Sequence, residues 1–132
     1  MLVKFLLPFL SAMSRARVIL GKIGEDLACR ELERRGYAII ARRYRRRRGE
    51  LDIIARDGHT TVFVEVKARK GHAFGNAAEA VTADKQRRIV DLAADYMARY
   101  RPTNGRCRFD VVSIHLEDGE PVVEVYQNAF DA

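Results

Sequence analysis

The chain has 132 residues with 24 Lys plus Arg against 18 Asp plus Glu, a formal net charge of +6. Six arginines lie between Arg42 and Arg48, and without them the two signs balance, so this is a charge-balanced domain carrying one concentrated cationic segment and not a diffusely basic protein. A hydrophobic content of 48% excludes disorder throughout and suits a single core at this length. Cys29 and Cys107, like His59, His72 and His115, are scattered, which excludes a disulfide framework and a Cys/His metal centre and fits a reducing, cytoplasmic compartment.

Met1 to Met13 (MLVKFLLPFLSAM) is apolar but too short to span a bilayer, and Pro8 together with the missing small-x-small cleavage site argues against a secretion signal. Residues 1–16 are expected to be a poorly ordered extension or to contain a misassigned start, the natural one being Met13, with residues 17–132 forming one domain and no membrane association. From about Arg17 to Arg35, Leu20, Ile23, Leu27, Ala28 and Leu32 recur at helical spacing and Gly36 supplies a stop. Glu25 falls on the stripe with Gly21, Ala28 and Leu32, at the margin of the buried face.

Tyr37 to Tyr44 reads as a strand running into the arginine cluster. Glu50–Arg56 and Thr60–Arg69 read as two strands about Asp57-Gly58, a strong hairpin signal. After a loop with Gly71, Gly75 and Asn76, a second helix is predicted with Thr82 as N-cap. Its apolar stripe is Ile89, Leu92, Ala93, Tyr96, Met97 and Tyr100, and Pro102 and Asn104-Gly105 end it. A last hairpin pairs Arg106–Leu116 with Val122–Tyr126 about Asp118-Gly119. The order αβββαββ predicts an α/β fold, a mixed central sheet flanked by helices.

Chemistry concentrates on the third strand. In Val62-Phe63-Val64-Glu65-Val66-Lys67 the valines share one face, and Phe63, Glu65 and Lys67 share the other. With Asp57-Gly58 as the loop, Asp52 faces Phe63, Glu50 faces Glu65, and Asp52 and Glu65 are diagonal neighbours roughly 7 Å apart at Cα. Two carboxylates that close repel and call for a cation, and an all-oxygen donor set suits a hard ion such as magnesium. Lys67 can orient a water or stabilise developing negative charge, and the combination asks for phosphodiester hydrolysis. The bland alternative is a solvated row of cross-strand ion pairs. Against it stand the helices, which must cover the sheet, and Glu25 at the edge of a buried helix face.

Six ordered motifs resemble the bacterial YraN family: Gly21–Ala28 (GKIGEDLA), Gly49–Ile54 (GELDII), Phe63–Arg69 (FVEVKAR), Ala73–Gly75 (AFG), Ala80–Thr82 (AVT) with Lys85–Arg88 (KQRR), and Arg108–Val112 (RFDVV). That family is similar to archaeal Holliday junction resolvases within the PD-(D/E)XK, restriction-endonuclease-like proteins. The resemblance implies that Glu25, Asp52 and Glu65 bind a divalent metal, Mg2+ or Mn2+, and that Lys67 is the catalytic lysine. The proline of the superfamily's name is absent, Leu51 standing before Asp52.

Lys85 and Gln86 project within the sector of Ile89 and Ala93, so they can look from the first helical turn toward the sheet and a scissile phosphate; an exposed basic first turn is the equal alternative. Asp110 shares a face with Val112, Ile114 and Leu116, which favours a structural hydrogen-bonding role over a catalytic one. Arg42, Arg43, Arg45, Arg46, Arg47 and Arg48 lead into Glu50 and Asp52, and their placement favours sequence-independent, salt-dependent contacts to a phosphate backbone. The expected function is a metal-dependent endonuclease acting on DNA in preference to RNA, branched or structured DNA being what the resemblance implies. A homodimer is expected, since a resolvase needs two active sites. The alternative is a non-catalytic nucleic-acid-binding module that keeps the fold.

Overall fold

The structure, a computed structural model, describes residues 2–70, 81–116 and 119–132. In chain order its elements are α1 (Leu2–Arg34), β1 (Ala38–Arg46), β2 (Gly49–Asp57), β3 (Thr60–Lys70), α2 (Ala83–Tyr100), β4 (Cys107–Leu116) and β5 (Val122–Phe130). The expected order αβββαββ therefore holds. The strands form one mixed sheet in the order β1-β2-β3-β4-β5. Only β3 and β4 are parallel, as the helical crossover between them requires; their neighbours pair antiparallel. The arrangement is compatible with a restriction-endonuclease-like fold.

Both faces of the sheet are covered, which is why its central strands carry apolar residues on each side. Val62 and Val64 pack with Ala28 and Leu32 of α1, whereas Phe63 packs with Ile89, Leu92, Ala93 and Tyr96 of α2. The period-two split expected of β3 is thus realised. Thr82 caps α2 by accepting the Lys85 N–H on its hydroxyl at 3.2 Å, and the helix ends at Arg101, left-handed at φ 43°. Met97 packs against this core, but Tyr100 is exposed.

α1 begins at Leu2, well before the start near Arg17 that the apolar spacing predicts. Its other end is as expected: Gly36 is left-handed at φ 94°, and the Tyr37 N–H donates back to the Leu32 carbonyl at 2.9 Å. α1 lies very close to β3. A Cβ on Gly24 would stand 2.9 Å from that of Ala68, so only glycine admits this approach.

Two strand expectations are corrected. Asp57 pairs with Thr60, so the β2–β3 turn is Gly58-His59, with Gly58 at φ 60°, and the register is two residues from the one centred on Asp57-Gly58. Glycine at the first turn position supplies the positive φ of a Gly-x hairpin turn, leaving Asp57 to accept from Arg108 Nη2 at 2.8 Å. A two-residue shift keeps every side chain on its face but changes partners. Continued from Ile53↔Val64, the register brings Asp52 opposite Glu65 and not Phe63, and Glu50 pairs with Arg45 of β1. β5 also runs on to Phe130, past Tyr126. The loop expected at Gly71–Asn76 and the turn residue Asp118 lie outside the described residues.

Candidate active site

The site forms where two ladders are interrupted. β2 and β3 pair as far as Ile53↔Val64; one residue on, Asp52 Oδ2 accepts the Val66 N–H at 2.9 Å, a side chain doing the work of a backbone carbonyl. On the other side of β2, Ala41 and Ile54 face α2, Arg42 and Ile53 face α1, yet Tyr44 and Leu51 face α2 again. The pleat has skipped a step. The residue in the gap is Arg43, whose φ of 52° is uncommon for a side chain of this size.

That kink lets two consecutive arginines reach one carboxylate. Arg42 Nε donates to Glu25 Oε1 at 2.7 Å and Arg43 Nε to Oε2 at 3.1 Å, while Arg42 Nη2 also donates to Asp26 Oδ1 at 2.6 Å. Arg45 pairs with Glu50 at 2.8 Å and Arg46 with Asp95 at 3.1 Å. The cluster is therefore the second half of β1 plus the turn Arg47-Arg48, and much of it is engaged by neighbouring acids. Arg46, Arg47 and Arg48 lie toward Asp91 and Asp95 of α2, away from Glu25.

Asp52 and Glu65 are set against each other in a poorly solvated place. Glu65 is only 6% exposed. Burial first, and then the charge of Asp52, push its carboxyl up to about 7, against the opposing pull of Lys85 and Lys67. Burial also raises Asp52, opposed by the Val66 N–H and by Lys85. Lys85 Nζ lies 3.7 Å from Glu65 Oε1. Glu65 Oε2 is buried and has no hydrogen-bond partner among the described residues. Beside the pair opens a cavity of about 490 Å³ whose walls include Gly21, Glu25, Arg43, Asp52, Lys67 and Ala68.

A family model described as "Uncharacterised protein family UPF0102" matches residues 24–114. A UPF0102 protein of Symbiobacterium thermophilum is 50% identical over 113 residues, which cover 85% of this chain and 96% of that one. A UPF0102 protein of Geobacter metallireducens is 45% identical over 119 residues, 90% and 98% of the two chains, and one of Rhodococcus opacus is 48% identical over 112 residues, 84% and 95%. This chain belongs to the UPF0102 family. The matched segment runs from Gly24, where α1 meets the sheet, to Ile114 in β4, and so includes each of the carboxylates and lysines just described.

In this UPF0102 protein, Asp52 and Glu65 come together with Lys85 at hand, and Glu25 and Lys67 share a cavity wall with Asp52. Gln86 turns its amide back to the Val81 carbonyl at 3.0 Å. Asp110 has the structural role expected: wholly buried, it accepts from Tyr37 Oη at 3.0 Å, Arg108 Nε at 3.0 Å and the Asn128 N–H at 2.9 Å. Two residues that the sequence pattern did not single out continue the polar face beyond Lys67. Ser113 is its register partner on β4, and the Ser113 hydroxyl lies 3.2 Å from His115 Nε2. The alternation of Val111, Ser113 and His115 held that signal.

Among the described residues no three His, Cys, Asp or Glu side chains already form a finished ligand cluster. The donor chemistry nonetheless suits a hard cation: two adjacent carboxylates, one with a buried oxygen lacking a partner, and no soft ligand. No described helix is long and apolar enough to cross a membrane.

Proposed function

We propose that this UPF0102 protein is a metal-dependent endonuclease that hydrolyses phosphodiester bonds of DNA, with branched or structured DNA as the substrate class that its resemblance to resolvases suggests. The observation that carries the reading is half-buried Asp52 set against buried Glu65, one Glu65 oxygen unpartnered, beside Lys67 and an open cavity. Asp52 and Glu65, joined by Glu25, would hold Mg2+ or Mn2+, which when bound polarises a phosphoryl oxygen and lowers the pKa of a coordinated water.

The protein's own groups account for the rest. The carboxylate pair, costly to ionise in its buried setting, is balanced by Lys85 from the first turn of α2. Lys67 presents an ammonium to the charge that builds on the phosphoryl oxygens as water adds to phosphorus and the ester oxygen leaves. Arginines at the cavity rim hold backbone phosphates through bidentate contacts.

The test is cleavage of four-way, flapped, single-stranded and duplex DNA with Mg2+ or Mn2+, alongside Glu65→Ala and Lys67→Ala. Each variant should lose at least about 100-fold in rate, the scale of removing one preorganised stabilising group. Undiminished cleavage by both variants overturns the assignment. One observation favours a second reading, a nucleic-acid-binding module without turnover: Glu25 is already neutralised by Arg42 and Arg43. That module would bind DNA with a steep salt dependence and cut none of the panel.

A further inference from the structure

Glu25 is 7% exposed, while the two arginines that hold it are about two-fifths exposed, with Arg43 lining the cavity. A buried carboxylate is thus covered by two partly exposed cationic heads, of which Arg43 borders the space a nucleic-acid backbone would enter. Arg43 makes its contact from a left-handed backbone that a long side chain does not choose. From that backbone the Arg43 Nε reaches Glu25 Oε2 at 3.1 Å. The contact is also crowded: two guanidiniums and a divalent cation cannot share one carboxylate without like-charge repulsion. Arginine's preferred second partner is a phosphate, for which its planar fork is shaped.

We infer that Arg42 and Arg43 stand in for the divalent cation at Glu25 and transfer to backbone phosphates when the cation takes that carboxylate, so that metal and nucleic acid bind with positive coupling. This rests on the reading of the site as metal-dependent. Exchange leaves Glu25 and the guanidiniums with a partner throughout: Glu25 passes from guanidinium to cation, the Nε groups pass from carboxylate to phosphate, and Asp26, which accepts from Arg42 Nη2, is exposed enough to be hydrated where that contact is given up. Reciprocity follows, DNA raising metal affinity by the same factor as metal raises DNA affinity.

Binding of a fluorescein-labelled duplex is measured by anisotropy in the cleavage-impaired Lys67→Ala background, with Mg2+ or with chelator, across a salt series. Magnesium itself competes for phosphates, so the comparison is between Lys67→Ala and Lys67→Ala carrying Arg42→Gln and Arg43→Gln. In chelator the two salt slopes should coincide. In Mg2+ the arginine-bearing protein should be steeper by about 1.8, two further phosphates neutralised at about 0.9 each. Arg43→Gly, which suits the left-handed backbone and disturbs the fold least, should give about half that difference. Without DNA, calorimetry should find Mg2+ bound about fivefold more tightly once both arginines are gone, because no competing partner has to be displaced. Coincident slopes in Mg2+, or unchanged Mg2+ affinity in the arginine variants, overturn the inference. Where the wild type binds Mg2+ and cleaves DNA but the slopes coincide, the inference alone falls; where no variant binds Mg2+, the metal-dependent reading falls with it.

Discussion

Glu65 is a carboxyl that the fold would keep protonated near neutrality. Its value rises from the ordinary 4.5 to about 7, chiefly through burial, so the folded state holds a proton that the unfolded state has released between those two pH values. Stability should therefore be greatest below about 4.5 for this group and fall as pH rises toward 7, by about 3 kcal/mol. Urea midpoints at pH 5 and pH 8 check this. Glu65→Gln should flatten the difference, and Mg2+ should raise the wild-type midpoint at pH 8 more than at pH 5. Asp110 is a fully buried acceptor whose partners are all in place. Asp110→Ala strands Tyr37 Oη and the Asn128 N–H and leaves Arg108 with Asp57 as its remaining carboxylate, and should cost about 3 kcal/mol in chemical denaturation. At this scale the face of Glu65 and the oddity of a carboxylate in Asp110's position were legible from a period of two. The engagement of Arg42 and Arg43 was not, because it joins residues 17 and 18 positions apart through a backbone kink that no local pattern encodes.

Between elements, the close approach of α1 to β3 sets where Glu25 stands. Gly24→Ala forces a Cβ to within 2.9 Å of the Ala68 Cβ, and neither group is flexible. It should cost about 1–3 kcal/mol, and Ala68→Gly should recover part of the loss, with a coupling of at least about 1 kcal/mol in a double-mutant cycle. Gly21, which has nothing within 4 Å of an added Cβ, is the control: Gly21→Ala should be neutral or stabilising by about 0.5–1 kcal/mol. The β2–β3 hairpin shows how far pattern reaches between elements. Asp-Gly marked the turn, and alternation assigned faces correctly because the true register differs by an even number. What remained hidden was the partner, since the turn slides by one residue when Arg108, distant in sequence, claims the Asp57 carboxylate. The carboxylates were therefore expected as diagonal neighbours and are opposite ones.

For the molecule as a whole, the order of strands implies an order of stability. β3 lies centrally, paired on both sides and covered on both faces, whereas β1 and β5 are edges. Amide exchange at Val62–Val64 and at Val111–Val112 should require global unfolding, while Tyr44–Arg46 of β1 should exchange through local opening at a lower free energy. Native-state exchange in mild denaturant separates the two, and uniform protection across β1 and β3 would contradict this ranking. The αβββαββ plan was readable because caps, turn residues and two periodicities agree along most of the chain. Arg42, Arg43, Arg45 and Arg46 are neutralised by Glu25, Asp26, Glu50 and Asp95. At distances beyond a screening length of about 10 Å, those eight charges largely cancel, so of the surplus of +6 the segment in which the sequence concentrates it contributes only through Arg47 and Arg48, and the rest is felt from the remaining surface. A passing polyanion is thus drawn in with little preference for orientation, and its alignment is decided only after contact, by whichever acid gives up its arginine.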